Sequence, residues 1–130
     1  MTDTPAPSKI LLHKKSKILE LQFGTDSYEL DAEFLRVHSP SAEVQGHGPG
    51  QAILQFGKAM VAIDKLEPTG HYGIRIYFDD GHDTGIYSWE YLLHLARNRE
   101  QLDQAYESAL HREGKSRLPQ AQVLQFSPPS

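Results

Sequence analysis

The side chains best suited to chemistry in this 130-residue chain are its histidines, of which there are seven. His38, His47, His71 and His82 fall in loops or at strand ends. Neutral imidazole binds transition metals, and Glu43 could add a carboxylate. These histidines lack the i, i+4 spacing of a helical metal pair, and the chain has no cysteine. His38, His47 and His82 are therefore weak candidate ligands, and no metal or other cofactor is expected. Ser39, Ser41, Glu43 and His47 could form a polar pocket; a Ser–His–acid triad can be drawn on paper in almost any histidine-rich chain, and no Gly-x-Ser-x-Gly elbow supports one here. Gly46-His47-Gly48-Pro49-Gly50 resembles a phosphate cradle only in its glycines; it lacks the Gly-Lys-Ser/Thr ending that a Walker loop needs.

The elements that must position these residues follow from period and punctuation. Leu19, Leu21 and Phe23 alternate with Glu20 and Gln22, and Tyr28-Glu29-Leu30 resumes the alternation after Gly24-Thr25-Asp26-Ser27. That pattern predicts a hairpin. Asp31 is placed to cap a short helix through Phe34, Leu35 and Arg36, which Ser39-Pro40 ends. Residues 38–50 read as a long loop, and Met60–Leu66 as a strand region. Tyr72, Ile74, Ile76 and Phe78 define the clearest strand, followed by the turn signal Asp79-Asp80-Gly81. A three-residue turn there pairs Phe78 with His82, Ile76 with Thr84 and Ile74 with Ile86, which sets His82 on the buried face. Ser88 caps a helix over 88–97, and Asn98 with Gln101 suggests a capping box for a second over 99–112. Gly114 suits that helix's C-terminus.

These elements predict a single α+β domain over residues 15–114: a small antiparallel β-sheet from about 17–30 and 59–87, with two C-terminal helices packed on it. Residues 1–14 are expected to be a disordered lead, in which Lys9, His13, Lys14 and Lys15, with Lys17 just beyond, read as a solvated approach to the first strand. Residues 115–130 are expected to be a flexible tail, whose Val123, Leu124 and Phe126 could dock elsewhere. The net charge of −4 argues against a nucleic-acid partner. No apolar run approaches a membrane span, and Met1–Ser8 has no apolar signal region, so the expected location is cytoplasmic. Disulfide scaffolds, zinc fingers and thiolate-held clusters are excluded by composition.

Three segments carry a family resemblance: Leu35-Arg36-Val37-His38-Ser39-Pro40-Ser41-Ala42-Glu43-Val44-Gln45-Gly46-His47, Gly70-His71-Tyr72-Gly73-Ile74-Arg75-Ile76-Tyr77-Phe78, and Asp79-Asp80-Gly81-His82-Asp83-Thr84-Gly85-Ile86-Tyr87-Ser88-Trp89-Glu90-Tyr91-Leu92. Over roughly residues 15–100 the chain resembles the gamma-butyrobetaine hydroxylase N-terminal-like domain, seen in bacteria as a short stand-alone protein of unknown function. The resemblance implies a small α+β domain. Related domains precede 2-oxoglutarate oxygenases or are attached to ATPases that carry iron–sulfur clusters. In the hydroxylases the domain holds a structural zinc through three cysteines and a histidine. The resemblance places that histidine at His82 and the cysteines at Ser39, Ser41 and Val44, so it implies a lost zinc site. The oxygenase centre belongs to another domain, so no hydroxylase activity carries over.

Two functional readings follow. The first is a non-enzymatic binding or adaptor module with a protein partner, linked by resemblance to iron–sulfur or oxygenase proteins. The second is a small ligand-binding protein or enzyme with a polar pocket around Arg36, Ser39, Ser41, Glu43, His47 and His82. The resemblance implies that those polar groups meet, since the metal of the zinc-binding relatives ties the loop after Leu35-Arg36 to the position of His82; they would then form either a hydrogen-bonded staple or a ligand site.

Overall fold

The computed structural model describes residues 4–46, 48 and 50–119. Its first unit is a meander of β1 (Lys9–His13), β2 (Ile18–Phe23) and β3 (Asp26–Asp31), paired antiparallel in that order. Leu19 of β2 lies opposite Leu30 and Leu21 opposite Tyr28, so the alternating leucines share one face. Gly24 turns the β2–β3 hairpin at φ 61°, a left-handed conformation that glycine adopts without strain.

The Asp31 carboxylate then accepts the Phe34 N–H at 3.1 Å and opens α1 (Ala32–Val37). A one-turn helix, α2 (Ala42–Gln45), follows, with Ser41 accepting the Glu43 N–H. The second unit is another antiparallel sheet, β4 (Ile63–Thr69), β5 (Gly73–Phe78) and β6 (Ile86–Ser88) in that order. Ser88 caps α3 (Trp89–Arg97) through the Tyr91 N–H. The last helix, α4 (Arg99–Glu113), ends on left-handed Gly114.

One apolar core joins these units. It takes Leu19, Leu21 and Leu30 from the first sheet, Phe34 and Leu35 from α1, and Ile63, Ile74, Ile76, Phe78 and Tyr87 from the second sheet. Leu92 and Leu95 close it from α3, and Leu102 of α4 packs against its edge. The α+β class, the antiparallel pairing and the two C-terminal helices are as the sequence predicts. No helix among the described residues is long and apolar enough to cross a membrane.

Several details differ from the sequence reading. Lys9–His13 is not a disordered lead but a strand paired along its length with β2. Its Ile10 and Leu12 pack against the core, and the flanking lysines hide that pattern. The strand expected over Met60–Leu66 runs over Ile63–Thr69, and Met60 is exposed. Residues 38–50 contain α2. Asn98 makes no capping bond; its amide donates to the His94 carbonyl at 2.9 Å instead. The tail is not free from Lys115 onward, because Ser116 and Arg117 accept the Gly57 and Ala59 N–H groups at 2.9 Å. Val123, Leu124 and Phe126 lie outside the described residues.

The register of the last hairpin is the most consequential difference. Phe78 does pair with His82, its N–H reaching the His82 carbonyl at 3.0 Å. Ile76 then bonds Gly85, so Asp83 and Thr84 together oppose Tyr77 and one extra residue enters the returning strand. Ile74 consequently faces Tyr87 rather than Ile86. Tyr87 is fully buried, and Ile86, expected in the core, is 43% exposed. Phe78→Ala should cost about 3–5 kcal/mol in urea denaturation, whereas Ile86→Ala should stay within about 0.5 kcal/mol. Equal losses would refute this register.

Candidate functional site

The α1–α2 connection and the returning strand of the last hairpin meet through buried polar groups. Ser39 has no exposed surface and His82 is 6% exposed. The Ser39 Oγ lies 2.8 Å from His82 Nε2 and accepts the Ser41 N–H at 3.2 Å. His82 Nδ1 faces Glu43 Oε2 at 3.5 Å. One proton placement gives every group a partner. Ser41 N–H donates to Ser39, the Ser39 hydroxyl donates to Nε2, and Nδ1–H points at the Glu43 carboxylate. The Thr84 hydroxyl donates to Glu43 Oε1 at 3.0 Å and lies 2.8 Å from Ser41 Oγ, closing the network.

Beside it sits a second cluster. Arg36 is buried, and its Nε donates to Asp80 Oδ2 at 2.8 Å while Nη1 donates to Gln55 Oε1 at 3.1 Å. Lys58 Nζ reaches the same Asp80 oxygen at 2.7 Å, and the His82 N–H reaches Asp80 Oδ1 at 3.1 Å. Burial pushes the Asp80 carboxyl up, but the bonds from Lys58, His82 and Arg36 and the Arg36 charge outweigh it and hold the pKa at about 2. For His82 burial comes first and the Arg36 charge second; both disfavour the imidazolium and outweigh Glu43 and Asp80, so its pKa lies below the ordinary 6.5.

Ser39, His82 and Glu43 stand in the bonding order of a hydrolytic triad, yet this serine cannot act as a nucleophile in this geometry. Its hydroxyl is wholly enclosed, and a Cβ placed on Gly85 would fall 2.6 Å from it. No acyl group has room to approach. What the arrangement does is fasten the loop after α1 to the hairpin. Among the described residues no buried side-chain polar atom lacks a partner, as a staple requires.

The structure thus brings Ser39, Ser41, Glu43 and His82 into one network and sets Arg36 beside it. His47 lies outside the described residues. His38 does not join them; its Nδ1 is 2.9 Å from the Phe34 carbonyl, and its ring packs 4.7 Å from the Phe34 ring. The zinc set implied by the resemblance does not fit these side chains. Ser39 and Ser41 carry hydroxyls already hydrogen-bonded, and Val44 is buried and apolar. Among the described residues no three histidine, aspartate or glutamate side chains come together as metal ligands would. Sequence reasoning missed Asp80, Thr84, Tyr87 and Tyr91. Asp80 stands in a turn motif whose role ordinarily ends with the turn, and Tyr87 and Tyr91 act through hydroxyls that apolar patterning does not register. The Tyr87 hydroxyl donates to the Leu35 carbonyl, and the Tyr91 hydroxyl donates to that of His38 at 2.5 Å.

Two outcomes are expected of this network. His82→Ala should lower stability by roughly 1–3 kcal/mol, because Ser39 would lose its buried acceptor; an unchanged urea midpoint would show that the network fastens nothing. Burial also holds His38 below 6.5. The unfolded chain therefore takes up protons at these histidines first, so their contribution to stability is complete above pH 6.5 and declines as the pH falls through that value. Urea midpoints that rise on acidification from pH 7 to 5 would contradict this sign.

The Gamma-butyrobetaine hydroxylase-like, N-terminal family model matches residues 10–93. No curated protein matches the chain. One NMR solution structure shares 51% identity, covers 95% of this chain and 98% of its own, and superposes with a TM-score of 0.80. A second shares 41% identity over 98% and 99% of the two chains, with a TM-score of 0.77. A crystal structure of a protein of unknown function in the DUF971 family, from Acidithiobacillus ferrooxidans, shares 32% identity over 74% of this chain and 98% of its own, with a TM-score of 0.60. The extent of the model match and of these aligned relatives makes the chain a member of the gamma-butyrobetaine hydroxylase-like N-terminal family.

Proposed function

We propose that the chain is a cytoplasmic, non-enzymatic protein-binding module. The observation that carries this reading is the distribution of its side chains. Ser39, Ser41, His82 and Arg36 are buried and committed to hydrogen bonds, while large apolar groups stand in solvent. Ile53 is 58% exposed, Met60 62% and Leu118 67%, and Phe56, between Ile53 and Met60 in sequence, is exposed as well. Three of the four belong to the stretch from 53 to 60, which borders two open hollows. One, of about 490 Å³, lies between Phe56 and Leu118; the other, of about 510 Å³, lies between Ile53, Val44 and Ala109. Exposed apolar surface of this kind marks a place where another surface is covered on binding.

The partners to try first come from the sequence resemblance, whose relatives are attached to iron–sulfur ATPases and 2-oxoglutarate oxygenases. Such proteins from the same cell should be captured stoichiometrically by the full chain. Phe56→Ser should abolish capture while leaving the melting temperature within a few degrees, since an exposed side chain contributes about 0.5 kcal/mol or less to the fold. Capture that survives Phe56→Ser, or turnover of a small molecule that His82→Ala removes, would overturn the reading.

A further inference from the structure

The four outer strands of the two sheets are not equally protected against a newcomer. Edge strands expose unpaired N–H and C=O groups, and natural proteins blunt them with proline, bulges, brevity, cover or free charge. The β4 edge carries Pro68 and a register break between Ile63 and Lys65. The β6 edge is three residues long. β3 has α3 packed against it and presents Asp26 and Glu29. β1 has none of these devices. It is five residues long, contains no proline and keeps an unbroken register with β2 from Lys9 to His13. Among the described residues no element pairs with its outer edge. Its polar side chains turn across the sheet rather than out from the edge, Lys9 and His13 both reaching the Glu20 carboxylate on β2, at 3.7 and 3.0 Å. Leu11 between them is 39% exposed.

We propose that the free edge of β1 is a strand-addition site for an extended, acidic segment of a partner protein. Backbone pairing would supply the binding, as it does wherever a peptide lengthens a sheet. Charge selects the occupant. Residues 9–17 hold Lys9, Lys14, Lys15, Lys17 and His13 and no acid, in a chain whose net charge is −4. Lys14 and Lys15 are exposed and make no ion pair among the described residues. The same composition disfavours a second copy, since self-pairing would bring together two lysine-rich segments that hold no acid. This inference goes beyond the apolar surface proposed above and rests on a different part of the molecule.

The test uses the full chain and two labelled ten-residue peptides, one alternating Glu with Val and one alternating Lys with Val. The acidic peptide should bind saturably in fluorescence anisotropy, and the basic one should not. Binding should slow amide exchange at the β1 positions left unpaired by β2. Lys14→Glu with Lys15→Glu should weaken it about tenfold without altering the melting temperature. Phe56→Ser should leave it unchanged, so that this proposal and the reading of the apolar surface fail separately. The absence of saturable binding, equal binding of both peptides, or protection that appears outside Lys9–His13 would overturn the proposal. A dimer that forms through β1 in sedimentation would overturn it too, giving the edge to a second copy.

Discussion

The end of α1 is buried, and a buried helix end must find partners for its last carbonyls. An α-helix leaves its final C=O groups without intrahelical donors, and α1 is only six residues long. Two tyrosines from the far end of the chain supply the donors, Tyr87 to the Leu35 carbonyl and Tyr91 to that of His38. The arrangement satisfies both sides. A fully buried tyrosine hydroxyl is costly unless bonded, and the helix end offers it an acceptor. Burial accordingly raises the Tyr91 pKa to about 12, which keeps the phenol protonated and able to donate at neutral pH.

Much of the local geometry answers to this requirement. Tyr87 reaches the core only because the returning strand carries one residue more than a regular hairpin would. The backbone close to Tyr87 then needs space. A Cβ on Gly73 would fall 2.3 Å from the Tyr87 carbonyl oxygen, and one on Gly85 would strike Ser39 Oγ. Both glycines are there for close approach rather than for a left-handed turn. Ser39 and His82 complete the join one turn along the chain, and Arg36 and Asp80 complete it on the other side. What first reads as a constellation for catalysis is a seam between α1, with the loop that follows it, and the second sheet.

The elements legible in the sequence are those set by local chemistry. Asp31 and Ser88 cap their helices as their positions predict, Gly114 ends α4, and the leucines of β2 face inward. β1 was hidden because Ile10-Leu11-Leu12 shows no clean alternation and lies among lysines. The inward face of His82 follows from the pairing with Phe78, but the inserted residue beyond it leaves no mark in the period, which points to Ile86 for the place that Tyr87 occupies. The approach of the Ser39 region to His82 was suggested by family resemblance and not by spacing. The bond between buried Arg36 and Asp80 leaves no signal, since an aspartate before a glycine at a hairpin tip looks like turn chemistry alone.

The seam also carries a consequence for the order in which the protein assembles. Its bonds join residues far apart in the chain: 43 positions for Ser39 and His82, 44 for Arg36 and Asp80, 52 and 53 for the two tyrosine bonds. The hairpins within each sheet close loops of only a few residues. Loop entropy makes the long closures the expensive ones, and topologies rich in such contacts fold slowly. The two sheets are thus the fast local events, and their joining is where the chain spends its time. A substitution in the seam that is already made at the transition state slows folding, and one made only afterwards hastens unfolding. The rate that each such variant changes therefore dates the moment at which the halves of the molecule lock together.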